Sequence, residues 1–369
     1  MVAYGGETLI RGDIPEIMLG DICVGANHPP YIIAEIGSNH NGDMEVCKKM
    51  IDAAKRAGAH CVKFQSWSED TLVSQEEYNR NTDYGDSDED KLRHFGSLEQ
   101  MVKAYQFKDE QHHEISDYCK KIDIHFASSA FSEKEVDLLK SLDVPFIKLA
   151  SMDLNYTRLL KYTAQSGLPI VISTGMGNTA EIFNALKILE ENGAGKDKVI
   201  LLHCRSTYPP KDPDNDLLNI PMMREMFGYS TGYSDHTLST TAPIVSAAYG
   251  ATVIEKHFTI DKKMPGWDHW MSADEEQMRQ ICFGAKEAHV MMGQWERRVT
   301  DDEMQKMEKF RRCIVAAKDI KKGQVIAEED ITFKRPGTGI RPDEEKYVVG
   351  RKASADISAE KEIDWDMIE

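Results

Sequence analysis

Two histidines, His236 and His257, stand 21 residues apart at the ends of "HTLSTTAPIVSAAYGATVIEKH", a run that otherwise reads as a small-residue helix followed by a strand. Two imidazoles brought to one point suit a borderline divalent ion, with carboxylate or water in the remaining positions; Mn²⁺ is the first expectation, Mg²⁺ or Co²⁺ the alternatives. Either histidine alone reads equally well as a satisfied core residue, but the pair does not. Lys63 and Lys148 carry a second chemistry. Each sits inside an apolar, strand-like run, "CVKFQ" and "PFIKLAS", where an unpaired ammonium is costly. Two such lysines call for an anion. Hydroxyls of Ser129, Ser151, Ser173 and Ser234 would complete a cradle for phosphate and carboxylate, lysine supplying charge and serine supplying donors.

Elements must bring these residues together. From Tyr31 onward, eight short apolar runs alternate with longer amphipathic stretches: "YIIAEIG", "CVKFQSW", "IHFASSA", "PFIKLAS", "PIVISTG", "VILLHCRS", "GYSTGYSDH" and "TVIEKHF". Strand–helix alternation repeated eight times over about 260 residues predicts an α/β fold, a (β/α)8 TIM barrel. A doubly wound open sheet shares the same pattern, because strand order is invisible in sequence. In a barrel the chemistry gathers at the carboxyl ends of the strands. Those ends offer Glu35, Lys63 and Gln65, Ser129, Lys148 and Ser151, Ser173, Ser206 and Tyr208, Ser234 and His236, and His257. His236 and His257 then lie on neighbouring strands, and strand alternation puts Glu255 and His257 on one face with Lys256 on the other.

The chain of 369 residues is long for one domain. Residues 1–30 read as a hairpin capping the barrel, 31–294 as the barrel, 295–312 as a charged, helix-prone linker, and 313–369 as a small, mostly β domain broken by Gly and Pro. The polar insertion 68–91 carries nine acids against two bases; it reads either as a solvated loop or as a lid over the catalytic face. Hydrophobic residues at 41% and charged residues at 29% are ordinary for a soluble protein, and no apolar run approaches the ~20 residues that span a bilayer. A net charge of −17, with no basic cluster to offset it, argues against nucleic-acid and membrane partners. Seven cysteines without CxxC spacing suit reduced thiols, and the first residues lack a secretory pattern, so a cytoplasmic protein is expected.

The blocks "IIAEIGSNHNGD", "VKFQSW", "KLASMD", "ISTGM", "LLHCRSTYP", "YSDHT", "VIEKHFT" and "KRPGTGI" together resemble the sialic acid synthase family, the N-acylneuraminate or nonulosonic acid synthases of surface-polysaccharide biosynthesis. The C-terminal piece is similar to their small antifreeze-like SAF domain. The resemblance implies a transferase that condenses phosphoenolpyruvate with an open-chain N-acyl hexosamine and releases phosphate by C–O cleavage. It places the metal ligands on His236 and His257, the phosphoenolpyruvate cradle on Lys63, Ser129, Lys148, Ser151, Ser173, Ser206 and Ser234, and a catalytic glutamate on Glu35. Acceptor contacts fall on Gln65, Tyr208 and Asp268, and on Arg335, which the resemblance implies is supplied by a second subunit in a domain-swapped homodimer. Position 206 is Ser where some members carry Asn, and position 129 is Ser where they carry Thr. The acceptor stays open among N-acetylmannosamine, its 6-phosphate and a diacylamino dideoxy hexose. Two other readings compete: a barrel aldolase using Lys63 or Lys148 as a Schiff base with pyruvate, and a non-catalytic sugar-binding scaffold.

Overall fold

The computed structural model describes residues 14–82, 96–293 and 296–369. The expectations for residues 1–13 and 83–91 lie outside the described residues. By its contacts the chain divides into two units, Met1–Gly293 and Gln294–Glu369.

The first unit opens with an antiparallel hairpin, β1 (Ile17–Leu19) and β2 (Ile22–Val24). Eight strands follow: β3 (Tyr31–Gly37), β4 (Cys61–Ser66), β5 (His125–Ala130), β6 (Ile147–Leu149), β7 (Ile170–Ser173), β8 (Val199–Cys204), β9 (Ser230–Asp235) and β10 (Val253–His257). They pair in parallel in that order, and β10 closes on β3. The closed barrel, rather than an open sheet, is therefore the fold.

The side-chain period of two sorts each strand into an outer and an inner column. Outer residues such as Ile32, Ala34, Val62, Phe64, Ile170, Ile172 and Ile254 join one large apolar cluster with the surrounding helices. The helix Met44–Ala57 shows how a partner helix is specified. Asp43 caps it by accepting from the backbone N–H of Glu45 and Val46, its inner face buries Cys47, Met50, Ile51 and Ala54, and Gly58 stops it at φ 94°.

The inner columns are layered. Near the amino ends of the strands lie Tyr31, Ile33, Cys61, Ala127, Phe146, Val171, Ile200 and Val253, packed together with Ile17, Leu19 and Val24 of the hairpin. The hairpin thus caps the amino end of the barrel, turning Ile17 and Leu19 inward and leaving Met18 exposed. Further along the same inner faces the apolar layer gives way to Glu35, Lys63, Ser129, Lys148, Ser173, Cys204, Ser234 and Glu255, all buried. His125, at the amino end of β5, bonds Tyr31 Oη through Nδ1 at 2.7 Å and Asp21 Oδ1 through Nε2 at 2.9 Å. It is a structural residue.

In the second unit β11 (Cys313–Ala316) pairs antiparallel with β12 (Ile331–Lys334) over a small core that includes Ile314, Ile320, Ile326, Val348 and Ile363. The stretch 295–312, expected as a charged, helix-prone linker, holds the helix Asp301–Phe310, started by Thr300 in a capping box with Glu303. That helix belongs to the second unit: Gly337 N–H donates to Glu308 O at 2.7 Å, and the Arg335 guanidinium lies 5.3 Å from the Phe310 ring centre. Among the described residues no helix is long and apolar enough to cross a membrane, and all seven cysteines are free thiols.

The hairpin seal is testable. Leu19→Ala should lower unfolding free energy by about 2–5 kcal/mol, read from urea denaturation, whereas Met18→Ala on the solvent side should change it by less than about 0.5 kcal/mol.

Candidate active site

Strand register sets the floor of the site. Glu35 pairs across to Lys63 on one side and His257 on the other, Gln65 lies opposite Ser129, Ser129 opposite Lys148, and Ser234 opposite Glu255. Lys63 Nζ forms a short ion pair with Glu35, stands 3.7 Å from Glu255 Oε1, and donates to Ser129 Oγ at 3.1 Å. Lys148 Nζ donates to Ser173 Oγ at 2.7 Å and to Leu149 O at 2.9 Å. Gln65 Nε2 donates to Glu35 Oε1 at 2.8 Å, fixing that carboxyl from the other side. Gly175 keeps the cradle open: its N–H donates to Ser151 Oγ at 3.1 Å, and a Cβ there would meet Ser206 Oγ at 2.3 Å.

Two carboxylates share one ammonium, and the environment sets them apart. Burial pushes Glu35 up to about 7, with Lys63 opposing and Glu255 adding to the rise. Burial also works against the Glu255 carboxylate, but Lys63, Lys148 and His236 outweigh it and hold its pKa below the ordinary range. Burial disfavours the charge on Lys63, yet Glu255 and Glu35 outweigh it and raise that lysine. Lys148 has no such close partner; burial lowers it, with Glu255 only partly compensating. Of the two carboxylates Glu35 is therefore the one able to exchange a proton near neutral pH, and of the two floor lysines Lys148 has the less close opposite charge among the described residues.

At the edge of this floor the two imidazoles lie 5.3 Å apart between ring centres, with the Tyr208 ring 4.1 Å from His236. His236 Nδ1 donates to Arg205 O at 2.6 Å, which leaves Nε2 as the basic nitrogen of the neutral ring. Burial opposes charge on His236, but Cys204, with Sγ 3.9 Å from Nδ1, lifts it to about 8. His257 is pushed well below the ordinary imidazole range by burial and then by His236. Its Nδ1 is buried, has no hydrogen-bond partner among the described residues, and lies 3.6 Å from Asp268 Oδ2. Two imidazoles, one with an orphaned nitrogen, beside a carboxylate form a donor set that fits a borderline divalent cation.

A second buried pair holds the histidine strands together from the outer side of the sheet. Lys256 Nζ donates to Asp235 Oδ2 at 2.6 Å and also bonds Thr237 O. Asp235 accepts further from Tyr233 Oη at 3.0 Å and from Thr237 N–H at 2.8 Å. Lys256 immediately precedes His257 and Asp235 immediately precedes His236, so this network clamps both imidazole-bearing segments.

The barrel residues expected at the site line one cavity of about 550 Å³: Glu35, Lys63, Gln65, Ser129, Lys148, Ser151, Ser173, Ser206, Tyr208, Ser234, His236, His257 and Asp268. Arg335 lies in the other unit, exposed just beyond β12. Sequence reasoning did not assign Glu255 or Cys204 to the site. Glu255 had a signal, since alternation puts it on the face of His257. Sequence reasoning also missed the apolar lining of Trp67, Leu98, Met101, Phe131, Met152 and Met176, Trp67 and Phe131 because an apolar residue at a strand end looks like core; the Trp-rich loop of Trp267 and the insertion that holds Leu72 and Val73 were expected beside the acceptor, and both line the cavity.

The closed barrel with a buried Lys–carboxylate floor and two edge histidines at the carboxyl ends of its strands has the form of a TIM-barrel active site. The NeuB family model matches residues 50–297 and the SAF domain model residues 311–369. The chain belongs to the NeuB family and is an enzyme of its acid-synthase type. It is 35% identical to the N,N'-diacetyllegionaminic acid synthase of Legionella pneumophila, over 94% of this chain and 96% of that protein. It is 31% identical to the pseudaminic acid synthase of Helicobacter pylori, over 92% and 98% respectively. The crystal structure of the N-acetylneuraminic acid synthetase of Leptospira borgpetersenii superposes with a TM-score of 0.69 at 30% identity, covering 79% of this chain and 95% of that one.

The clamp predicts a coupling. Asp235→Asn and Lys256→Met should each destabilise by about 3–5 kcal/mol, because each leaves a buried charge without its partner. The double variant should lose clearly less than the sum, as a denaturation double-mutant cycle would read.

Proposed function

We propose that the enzyme condenses phosphoenolpyruvate with an open-chain N-acyl hexosamine to give a nonulosonic acid and phosphate. The observation that carries this reading is the floor: two buried lysines ringed by serine hydroxyls, one of them without a close carboxylate, suit a small, highly charged anion. The names of the relatives point to the same class of product.

Lys63 and Lys148, with Ser129, Ser151, Ser173, Ser206 and Ser234, hold the phosphate and carboxylate of phosphoenolpyruvate. Gln65, Tyr208 and Asp268 orient the acceptor. His236 and His257 hold a divalent ion, Mn²⁺ in the first instance, which supplies Lewis acidity toward the acceptor aldehyde. The π pair of phosphoenolpyruvate forms the new C–C bond from C3 to the aldehyde carbon, whose oxygen becomes the hydroxyl. Water adds at C2 and gives up a proton to Glu35, whose pKa near neutrality suits taking it and passing it on to the alkoxide left by the aldehyde. The C2–O bond to phosphate then breaks as the new C2 hydroxyl yields its proton to the departing phosphate, leaving the 2-keto acid, while the lysines keep that phosphate neutralised. The acceptor site is completed by Arg335 of a second copy in a domain-swapped homodimer, in keeping with the exposure of Arg335. The enzyme is placed in the cytoplasm, where phosphoenolpyruvate is available.

Lys148, buried and held below the usual lysine range, supports a second reading, a Schiff-base aldolase acting on pyruvate. Borohydride with pyruvate separates the two: covalent labelling of a lysine belongs to the aldolase and is not expected here.

Phosphate release from phosphoenolpyruvate, measured with Mn²⁺ and an N-acyl hexosamine, should need both substrates and stop with chelator. His236→Ala should bring turnover to background while thermal unfolding stays put; an active variant would remove the metal assignment. Arg335→Ala should raise the acceptor KM roughly tenfold to a hundredfold with the phosphoenolpyruvate KM unchanged. If neither constant moves, the swapped arm is wrong.

A further inference from the structure

The amino end of the barrel carries a cluster that the reaction does not use. Glu16, just ahead of β1, Cys23, within β2, and His28, in the turn leading to β3, bring a carboxylate oxygen, a thiol sulfur and a ring nitrogen within 4.8 Å of one another. Cys23 Sγ donates to Glu16 Oε2 at 3.3 Å, and Glu16 Oε1 lies 3.2 Å from His28 Nε2 and 3.5 Å from Asn27 Nδ2.

Local structure makes this convergence. Met18 pairs with Cys23 while Ile17 and Leu19 turn into the barrel, so Glu16, Met18 and Cys23 share the outer face of the hairpin. His28 N–H donates to Gly25 O at 3.1 Å, closing the turn that brings the imidazole back toward that face. Gly25 leaves room for the carboxylate: a Cβ there would meet Glu16 Cγ at 2.8 Å.

The donor set and its spacing fit one kind of ion. Tetrahedral zinc, with Zn–S about 2.3 Å and Zn–N and Zn–O about 2.0–2.2 Å, holds its donors about 3.3–3.7 Å from one another. The two separations from Glu16, 3.3 Å to sulfur and 3.2 Å to nitrogen, already stand near that spacing. A thiolate beside an imidazole favours zinc over manganese or magnesium, which prefer oxygen. Glu16 is exposed and Cys23 and His28 are half-buried, so an ion has a path in and water can take the fourth position. The hydrogen bond from Cys23, and then that with His28, hold Glu16 below the ordinary carboxylate range. Burial, and then Glu16, raise the Cys23 thiol. The thiol therefore keeps its proton near neutral pH, and metal binding releases that proton to water, so affinity rises with pH.

The geometry points to a structural zinc site formed by Glu16, Cys23, His28 and one water, at the end of the barrel away from the catalytic cavity. The ion ties the start of the hairpin and its second strand to the turn that enters β3. It fastens the seal beneath the lower apolar layer.

The test uses untagged, full-length protein carrying His236→Ala and His257→Ala, which removes the imidazoles of the catalytic face. After dialysis against Zn²⁺ it should retain one ion per chain, and its unfolding midpoint should rise with Zn²⁺ but not with Mn²⁺. Losing a group that merely supports a ligand costs about tenfold to a hundredfold in metal affinity. Removing a ligand itself, by Cys23→Ser or His28→Ala, should weaken Zn²⁺ binding by at least about a hundredfold. Both positions lie on the outer face, so the metal-free unfolding midpoint should stay put and a lost ion reads as a lost ligand. With Co²⁺ in place of Zn²⁺, a thiolate-to-metal charge-transfer band should appear that Cys23→Ser abolishes and Cys204→Ser leaves. Failure to retain Zn²⁺ overturns the site. Retention unchanged in Cys23→Ser and His28→Ala assigns the ion to other groups and overturns it as well.

Discussion

The arrangement that the rest of the barrel serves is one ammonium, Lys63, shared between two carboxylates, Glu35 and Glu255, at 1–6% residue exposure. Charges this deep persist only where opposite charge and donors stand close by. Strand pairing supplies that closeness: Glu35 and Lys63 are direct neighbours across β3 and β4, and Glu255 enters from β10 on the other side of β3. The apolar layer beneath and the hairpin below it keep the amino end dry, so the charges have one polar side, the cavity. Lys148 faces the same cavity with hydroxyl and carbonyl partners in place of a close carboxylate. A chain with a net charge of −17 thereby brings two buried ammonium groups to one cavity.

Much of this was legible in the sequence because the period of a strand is two. A lysine inside "CVKFQ" cannot be a surface residue if its neighbours are outer-column apolar residues, and the same logic marks Lys148. The two histidines were legible because a strand–helix–strand unit separates them and successive parallel strands are adjacent. Closure of the barrel was less so, since an open sheet carries an identical pattern; the β10–β3 pairing decides it. Other features lay beyond sequence reasoning for physical reasons. Asp235 and Lys256 look like ordinary charged residues at strand ends, and only three-dimensional register shows them meeting behind the sheet. Trp67 and Phe131 look like the last core residues of their strands. The helix Asp301–Phe310 was legible as a charged, helix-prone run, but that it belongs with the second unit shows only in its contacts.

Different parts of the chain carry different chemical tasks. Floor residues come from the strands, where backbone pairing on both sides leaves little freedom and a shift of one residue would carry a charged group out among the helices. Lining residues above them come from strand ends and from the insertion after β4, whose geometry is set by caps and side-chain bonds rather than by the sheet. The two sets of residues are thus free to differ independently.

The capping hairpin carries a consequence for how the molecule is made. Ile17 and Leu19 leave the ribosome ahead of every barrel strand, but their seat includes residues as late as Val253. The hairpin cannot dock until nearly the whole barrel has been translated and closed. Its contacts are among the most distant in sequence that the first unit possesses, so docking belongs to the late stage of folding, after the loop-closure entropy of the barrel has been met. Until then the apolar lower layer stands open, and during that interval the nascent chain is exposed to aggregation and to chaperones.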